Sequence, residues 1–200
     1  MKNLILLTLL SVLSCSVWSQ AGNYLIEGLA LASSGDYTGA IELYNKAISL
    51  DPEYGSVYSY RGEAKYELGD KRGAIADFSK AIELDAMKAF SFGCRGVAKY
   101  DLGDNRGAIA DLSKAIELDA TDTKSYFYRG SAKVVLKDYK GAITDYSKAI
   151  ELDPTNASFY SCRGLVKYEL GDIDSGCLDL SKAGELGYLE AYNLIKQYCN

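Results

Sequence analysis

The chain has no histidine among its 200 residues. That removes the side chain that most often acts as a general base near neutral pH and is a common metal ligand. There are only two prolines and one tryptophan, so little in the chain obstructs continuous helix. Basic residues are outnumbered, 22 against 27 acidic, and form no block; an electrostatic grip on nucleic acid is disfavoured. No apolar run approaches the roughly twenty residues that cross a bilayer. What the chain does have is 48% apolar residues, enough for a core, and 17 tyrosines. Tyrosine combines a large apolar face with a polar tip.

The longest apolar run lies at the start. Lys2 is followed by Leu4 to Leu13 and then by Ser14, Cys15 and Ser16, the order of charged, apolar and small residues in a secretory signal peptide. Residues 1–19 are read as that signal, with Val17-Trp18-Ser19 as the cleavage site and Gln20 as the first mature residue. A competing route is lipidation at Cys15, because Val12-Leu13-Ser14-Cys15 loosely resembles a lipobox. The chain is therefore expected to be exported, periplasmic or extracellular, or else held on the cell envelope as a lipoprotein.

Beyond that segment a period of 34 residues organises everything. Gly28, Gly62, Gly96, Gly130 and Gly164 align without an insertion, as do Tyr24, Tyr58, Phe92, Tyr126 and Tyr160, and Ala47, Ala81, Ala115, Ala149 and Ala183. The repeats span 21–54, 55–88, 89–122, 123–156 and 157–190. Units of this length bury their apolar faces against their neighbours in a solenoid. Within the second repeat, Gly55 to Leu68 and Lys71 to Leu84 carry apolar residues at helical spacing, with Gly69-Asp70 between them. Two antiparallel helices are predicted, joined by a glycine C-cap and an aspartate N-cap. Lys137-Asp138 replaces the Gly-Asp pair in the fourth repeat, where strain or a different cap is expected. Asp51-Pro52 and Asp153-Pro154 end repeats, whereas Ala86 and Ala120 stand in for proline and predict slightly longer helices. The mid-helix glycines predict close helix pairing, with Gly62 facing Ala74 and Ala81 while Tyr58 and Phe78 fill the ends of the seam.

The series Tyr24, Gly28, Ala40, Tyr44, Ala47 and Pro52 resembles the tetratricopeptide repeat, with coverage from 21 to 190. Lys65, Lys99, Lys133 and Lys167 depart from a common aromatic of that family; Gly176 replaces its alanine and Tyr188 its proline in the last repeat. The resemblance implies an all-α, right-handed superhelical solenoid of antiparallel helix pairs over 20–199, whose inner groove binds a peptide or partner protein. The basic clamp by which some members hold a C-terminal carboxylate has no counterpart at Leu25, Ser59, Gly93 or Phe127.

Arg61, Arg95, Arg129 and Arg163 each precede Asp77, Asp111, Asp145 and Asp179 by sixteen residues, and the first repeat lacks both, with Glu27 and Leu43 instead. Joint absence favours a structural ion pair between the helices of a repeat over a ligand-binding arginine ladder. Of the five cysteines, Cys94 and Cys162 stand two repeats apart and are not expected to pair. Cys177 and Cys199 flank a turn at Gly187 and are the disulfide candidates, against the alternative that all thiols stay reduced. Leu189 to Cys199 reads as a capping helix, its apolar residues Leu189, Tyr192, Leu194, Ile195 and Tyr198 turned to the last repeat.

At 100° per residue, the face of each first helix opposite its glycine carries Tyr60, Glu63, Tyr66 and Glu67; then Cys94, Val97, Tyr100 and Asp101; then Tyr128, Ser131, Val134 and Val135; then Cys162, Leu165, Tyr168 and Glu169. Two readings stay open for this tyrosine-rich, acidic surface: a groove for a basic and apolar peptide, or a solvated face with tyrosines packed between helices. No phosphate loop, metal cluster or activated nucleophile stands out, so the expectation is a binding protein without cofactor or metal and not an enzyme. The competing function is a structural spacer or self-assembly element acting through its ends or convex face.

Overall fold

The computed structural model describes residues 19–199, and the proposed signal peptide with Cys15 lies outside the described residues, apart from Ser19. Among those residues every regular element is an α-helix. The first, α1, covers residues 19–33. The others are α2 (Tyr37–Leu50), α3 (Gly55–Glu67), α4 (Lys71–Glu83), α5 (Lys88–Asp101), α6 (Asn105–Leu118), α7 (Thr123–Val135), α8 (Tyr139–Leu152), α9 (Ala157–Glu169), α10 (Ile173–Glu185) and α11 (Glu190–Tyr198). The chain divides into two compact units at Ala98 and Lys99, within α5. In the first unit α2 and α4 both pack on α3; in the second α6 to α11 each pack on the next helix in sequence. No helix among the described residues is long and apolar enough to cross a membrane.

The turns inside the repeats explain the recurring Gly-Asp-x-x-Gly. Gly69, at φ 85°, closes α3 in the left-handed region; its N–H donates to the Tyr66 carbonyl and that of Asp70 to the Lys65 carbonyl. Glycine takes this conformation without steric cost. Asp70 then caps α4 by accepting from the Gly73 N–H at 2.9 Å. The second glycine is needed because a β-carbon at Gly73 would collide with the Asp70 carboxylate. The fifth repeat supplies the contrast, since Ser175 stands at that position and Asp172 makes no side-chain cap. Gly107→Ala is accordingly expected to lose the Asp104 cap of α6 and cost about 1 kcal/mol, read as a lower urea midpoint. An unchanged midpoint would remove the steric account of the second glycine. In the fourth repeat Lys137 adopts φ 63° and makes the same turn, with Asp138 still capping Gly141. The expected strain is thus present, but the cap is retained.

Two sequence expectations need correction. The helices before Ala86 and Ala120 are not longer: α6 has 14 residues, as do α2 and α8, and α4 has 13. Proline is dispensable there because Asp85 takes φ 61° and Ala86 donates back to the Ala81 carbonyl, while Asp119 turns extended as Asp51 does. The mid-helix glycine of the first, second and fourth repeats, moreover, faces an aromatic ring. A β-carbon on Gly62 would lie 3.0 Å from the Phe78 ring, and one on Gly130 would lie 2.9 Å from the Tyr146 ring. Ala74 and Ala81 are fully buried beside that contact, so the small residues make room for a ring as well as for a second backbone.

Candidate functional site

In the first unit, α3 presents the predicted face as the helical phase requires: Tyr58 and Gly62 are buried, Tyr60 and Tyr66 are half-buried, and Glu63 and Glu67 are exposed. Tyr60, Glu63 and Glu67 line a cavity of about 280 Å³ with Leu29 of α1 and Tyr37 and Tyr44 of α2. Tyr44 is buried beneath it. Burial, then the Glu63 charge and Tyr60, push its phenol up to about 12. Of the two predicted residues that α5 adds to this unit's surface, Cys94 is half-buried and Val97 is buried and belongs to the core. The apolar side chain of Val97 gains more from packing than from lining a wet face.

In the second unit the tyrosines pack on one another. Tyr100 and Tyr128 meet edge to face with ring centroids 5.7 Å apart, and Tyr128 does the same with Phe127 at 5.4 Å. Ser131 Oγ lies 3.1 Å from Tyr146 Oη. Burial pushes the Tyr100 phenol up, aided by Asp101, Cys162 and Tyr128. Burial also pushes the Cys162 thiol up, which makes it a poor nucleophile. Asp101 and Glu169 are exposed. Tyr168 is held against Tyr198 of α11, centroids 4.5 Å apart. On the predicted face, half-buried tyrosines pack between helices and carboxylates reach solvent.

The arginines serve the repeats themselves. Arg129 donates from Nε and Nη2 to the two Asp145 oxygens at 3.0 and 2.6 Å, from Nη1 to Ser113 Oγ of the preceding repeat at 3.0 Å, and lies over the Tyr126 ring at 5.6 Å. Arg61 and Arg163 repeat this with Asp77, Asn45 and Tyr58, and with Asp179, Ser147 and Tyr160. Each guanidinium is therefore occupied on its edges and on its face, and joins two repeats. Sequence reasoning missed the third member. Lys65, Lys133 and Lys167 bind the same aspartates at 2.7 to 2.8 Å, and Lys99 binds Asp111 at 2.8 Å. The missed signal was Leu31, which replaces this lysine in the one repeat that also lacks the arginine and the aspartate.

At the C-terminal end the Cys177 and Cys199 α-carbons lie 5.8 Å apart, with the sulfurs at bonding distance. A bridge there would close a separation of 22 residues and contribute roughly 3 kcal/mol in the chain-entropy model. Reduction is expected to free α11 first, read as faster amide exchange over Glu190–Tyr198 than over α9. Equal exchange with and without reductant would remove this role. Leu189 and Tyr192, expected to face the last repeat, are instead 72% and 53% exposed. The face of α11 that turns inward carries Ala191, and Tyr192 leans over Gly184 from the rim.

Among the described residues no group of histidine, cysteine, aspartate and glutamate is placed to hold a metal ion. Family models described as TPR repeat match residues 28–69 and 132–171, and models described as tetratricopeptide repeat match 56–86 and 95–122. No curated protein sequence matches the chain. Among solved structures the chain is similar to MamA, at 26% identity and TM-score 0.75 over 82% of this chain and 96% of that one. A MamA from Desulfovibrio magneticus RS-1 has 18% identity and TM-score 0.78, covering 86% and 97%. YrrB, described as a TPR protein with an unusual peptide-binding site, has 22% identity and TM-score 0.76, covering 86% and 90%.

Proposed function

We propose, from the premise that this chain belongs to the tetratricopeptide repeat family, that it is an exported protein-interaction scaffold that holds a peptide or partner protein on the inner faces of its first helices. The observation that carries this reading is the pairing of half-buried tyrosines with exposed carboxylates on those faces, opening into a cavity beside Tyr60 and Glu63 in the first unit. Rigid aromatic surface gives contact area at low entropic cost, and the carboxylates favour basic partners. YrrB carries a peptide-binding site by its own description, which is a precedent for such use of the fold.

The test is cross-linked capture from the native cell envelope by wild type and by the Tyr66→Ala, Tyr100→Ala double variant, after circular dichroism shows equal helicity. Loss of a specific partner in the variant supports the groove. Identical captures would move binding to the ends or the convex face. A second reading, self-association through the C-terminal end, rests on the exposure of Leu178, Leu189 and Tyr192. Sedimentation of Leu178→Asp against wild type tests it, a shift to smaller species being the expected result.

Export rests on residues 1–19 of the sequence. Cleavage before Gln20 would discard the sole tryptophan, Trp18. The mature protein should then show tyrosine emission only, and a mass matching a Gln20 start. A lipid-bearing Cys15 at the amino terminus would establish the anchored form instead.

A further inference from the structure

The cavity of the first unit has a composition that selects one kind of occupant. Tyr37 and Tyr60 form half-buried walls, Tyr44 lies buried beneath, Leu29 adds apolar surface, and Glu63 and Glu67 bring two carboxylates to an exposed rim. None of the described residues that line it is basic. The cations of α3, Arg61 and Lys65, both bind Asp77. The first repeat has neither cation, carrying Glu27 and Leu31 at those positions. The cavity is about 280 Å³, the small end of the roughly 300 to 1,000 Å³ of ligand pockets. That suits a side chain better than a cofactor. A long cationic side chain matches each part, since its methylenes lie along apolar and aromatic surface while its charged head meets ring faces and carboxylates.

We propose that this cavity is a specificity pocket for a lysine or arginine side chain of a bound peptide. The inference rests on the groove reading above and deepens it by naming the residue that the first unit recognises. Glu63 and Glu67 pair with the cation, Tyr60 and Tyr37 flank its stem, and removal of the charge from the side chain removes the recognition.

The probes are short fluorescent peptide pools with mixed flanks and a central residue fixed as lysine, arginine, Nε-acetyl-lysine or glutamate. Each is titrated against the full chain and against E63Q/E67Q, with n-butylammonium as a free competitor. The expected result is binding of the lysine and arginine pools about tenfold tighter than the other two, weakened by salt and lost in E63Q/E67Q at unchanged helicity. Equal binding of the lysine and acetyl-lysine pools, or wild-type behaviour of E63Q/E67Q, would overturn the pocket. So would n-butylammonium displacing peptide at equal concentration, because the site would then serve a free amine. A native partner lost with Tyr66→Ala, Tyr100→Ala but retained by E63Q/E67Q would leave the groove standing and sink the pocket alone. Absence of any partner in both would sink the two together.

Discussion

Replacing Asp145 by alanine is expected to destabilise the second unit by about 3 to 5 kcal/mol, read as a lower urea midpoint. The side chain is only 2% exposed and receives both Arg129 and Lys133. Truncation leaves two cations half-buried with no counter-charge, and the size of the loss reflects those stranded charges more than the net worth of the bridge. The first repeat supplies the control. It dispenses with all three residues and has Glu27, Leu31 and Leu43 instead. A triple variant Arg129→Glu, Lys133→Leu, Asp145→Leu should therefore recover most of the stability. Equal loss in the single and triple variants would mean that the charges themselves hold the helices together.

The same network sets an acid limit. Burial alone would push the Asp179 carboxyl up, yet hydrogen bonds and charge from Arg163 and Lys167 outweigh it and hold the carboxyl below the usual carboxylate range. A carboxyl lowered in the folded state binds fewer protons there than in the unfolded chain. Its stabilisation is thus full above the ordinary aspartate range and is lost as pH falls through the folded value. Melting temperature should drop below about pH 4, and less steeply in Asp179→Asn than in wild type.

The register of the repeats was legible because 34-residue identity needs no packing information. So was the spacing of Arg61 to Asp77, where two residues disappear together in the first repeat. Lys65 was visible only as a departure from the family's aromatic; its role depends on distance to a buried oxygen 12 residues away in sequence. Cys177 and Cys199 were placed near each other by counting from the turn at Gly187. The helix ends before Ala86 and Ala120 were misjudged because proline is only one of several ways to stop a helix: Asp85 takes positive φ and Asp119 turns extended. The candidate face was half legible. Helical phase put Glu63 and Glu67 in solvent, but the packing of Tyr100 on Tyr128 and the burial of Val97 depend on neighbouring helices that periodicity within one helix does not describe.

Gly164→Leu is expected to cost about 4 kcal/mol, beyond the roughly 1 to 3 kcal/mol of ordinary overpacking, because the obstacle is backbone. A β-carbon at Gly164 would lie 2.8 Å from the Gly176 carbonyl oxygen, and one at Gly176 would lie 2.8 Å from the Gly164 carbonyl oxygen. Here α9 and α10 approach through two glycines, where earlier repeats have Ala40, Ala74, Ala108 and Ala142 on the second helix. The substitution must push the helices apart and with them the Asp179 contacts of Arg163 and Lys167. Gly62→Ala is the calibrating variant. Its neighbour is the Phe78 ring at 3.0 Å, a side chain and not a backbone, and alanine regains about 1 kcal/mol of helix propensity. Near-neutral Gly62→Ala beside severe Gly164→Leu, with Gly164→Ala between them, is the order expected from urea midpoints. If Gly164→Ala proves as mild as Gly62→Ala, the backbone approach in the fifth repeat is looser than this contact requires, and glycine there serves another end.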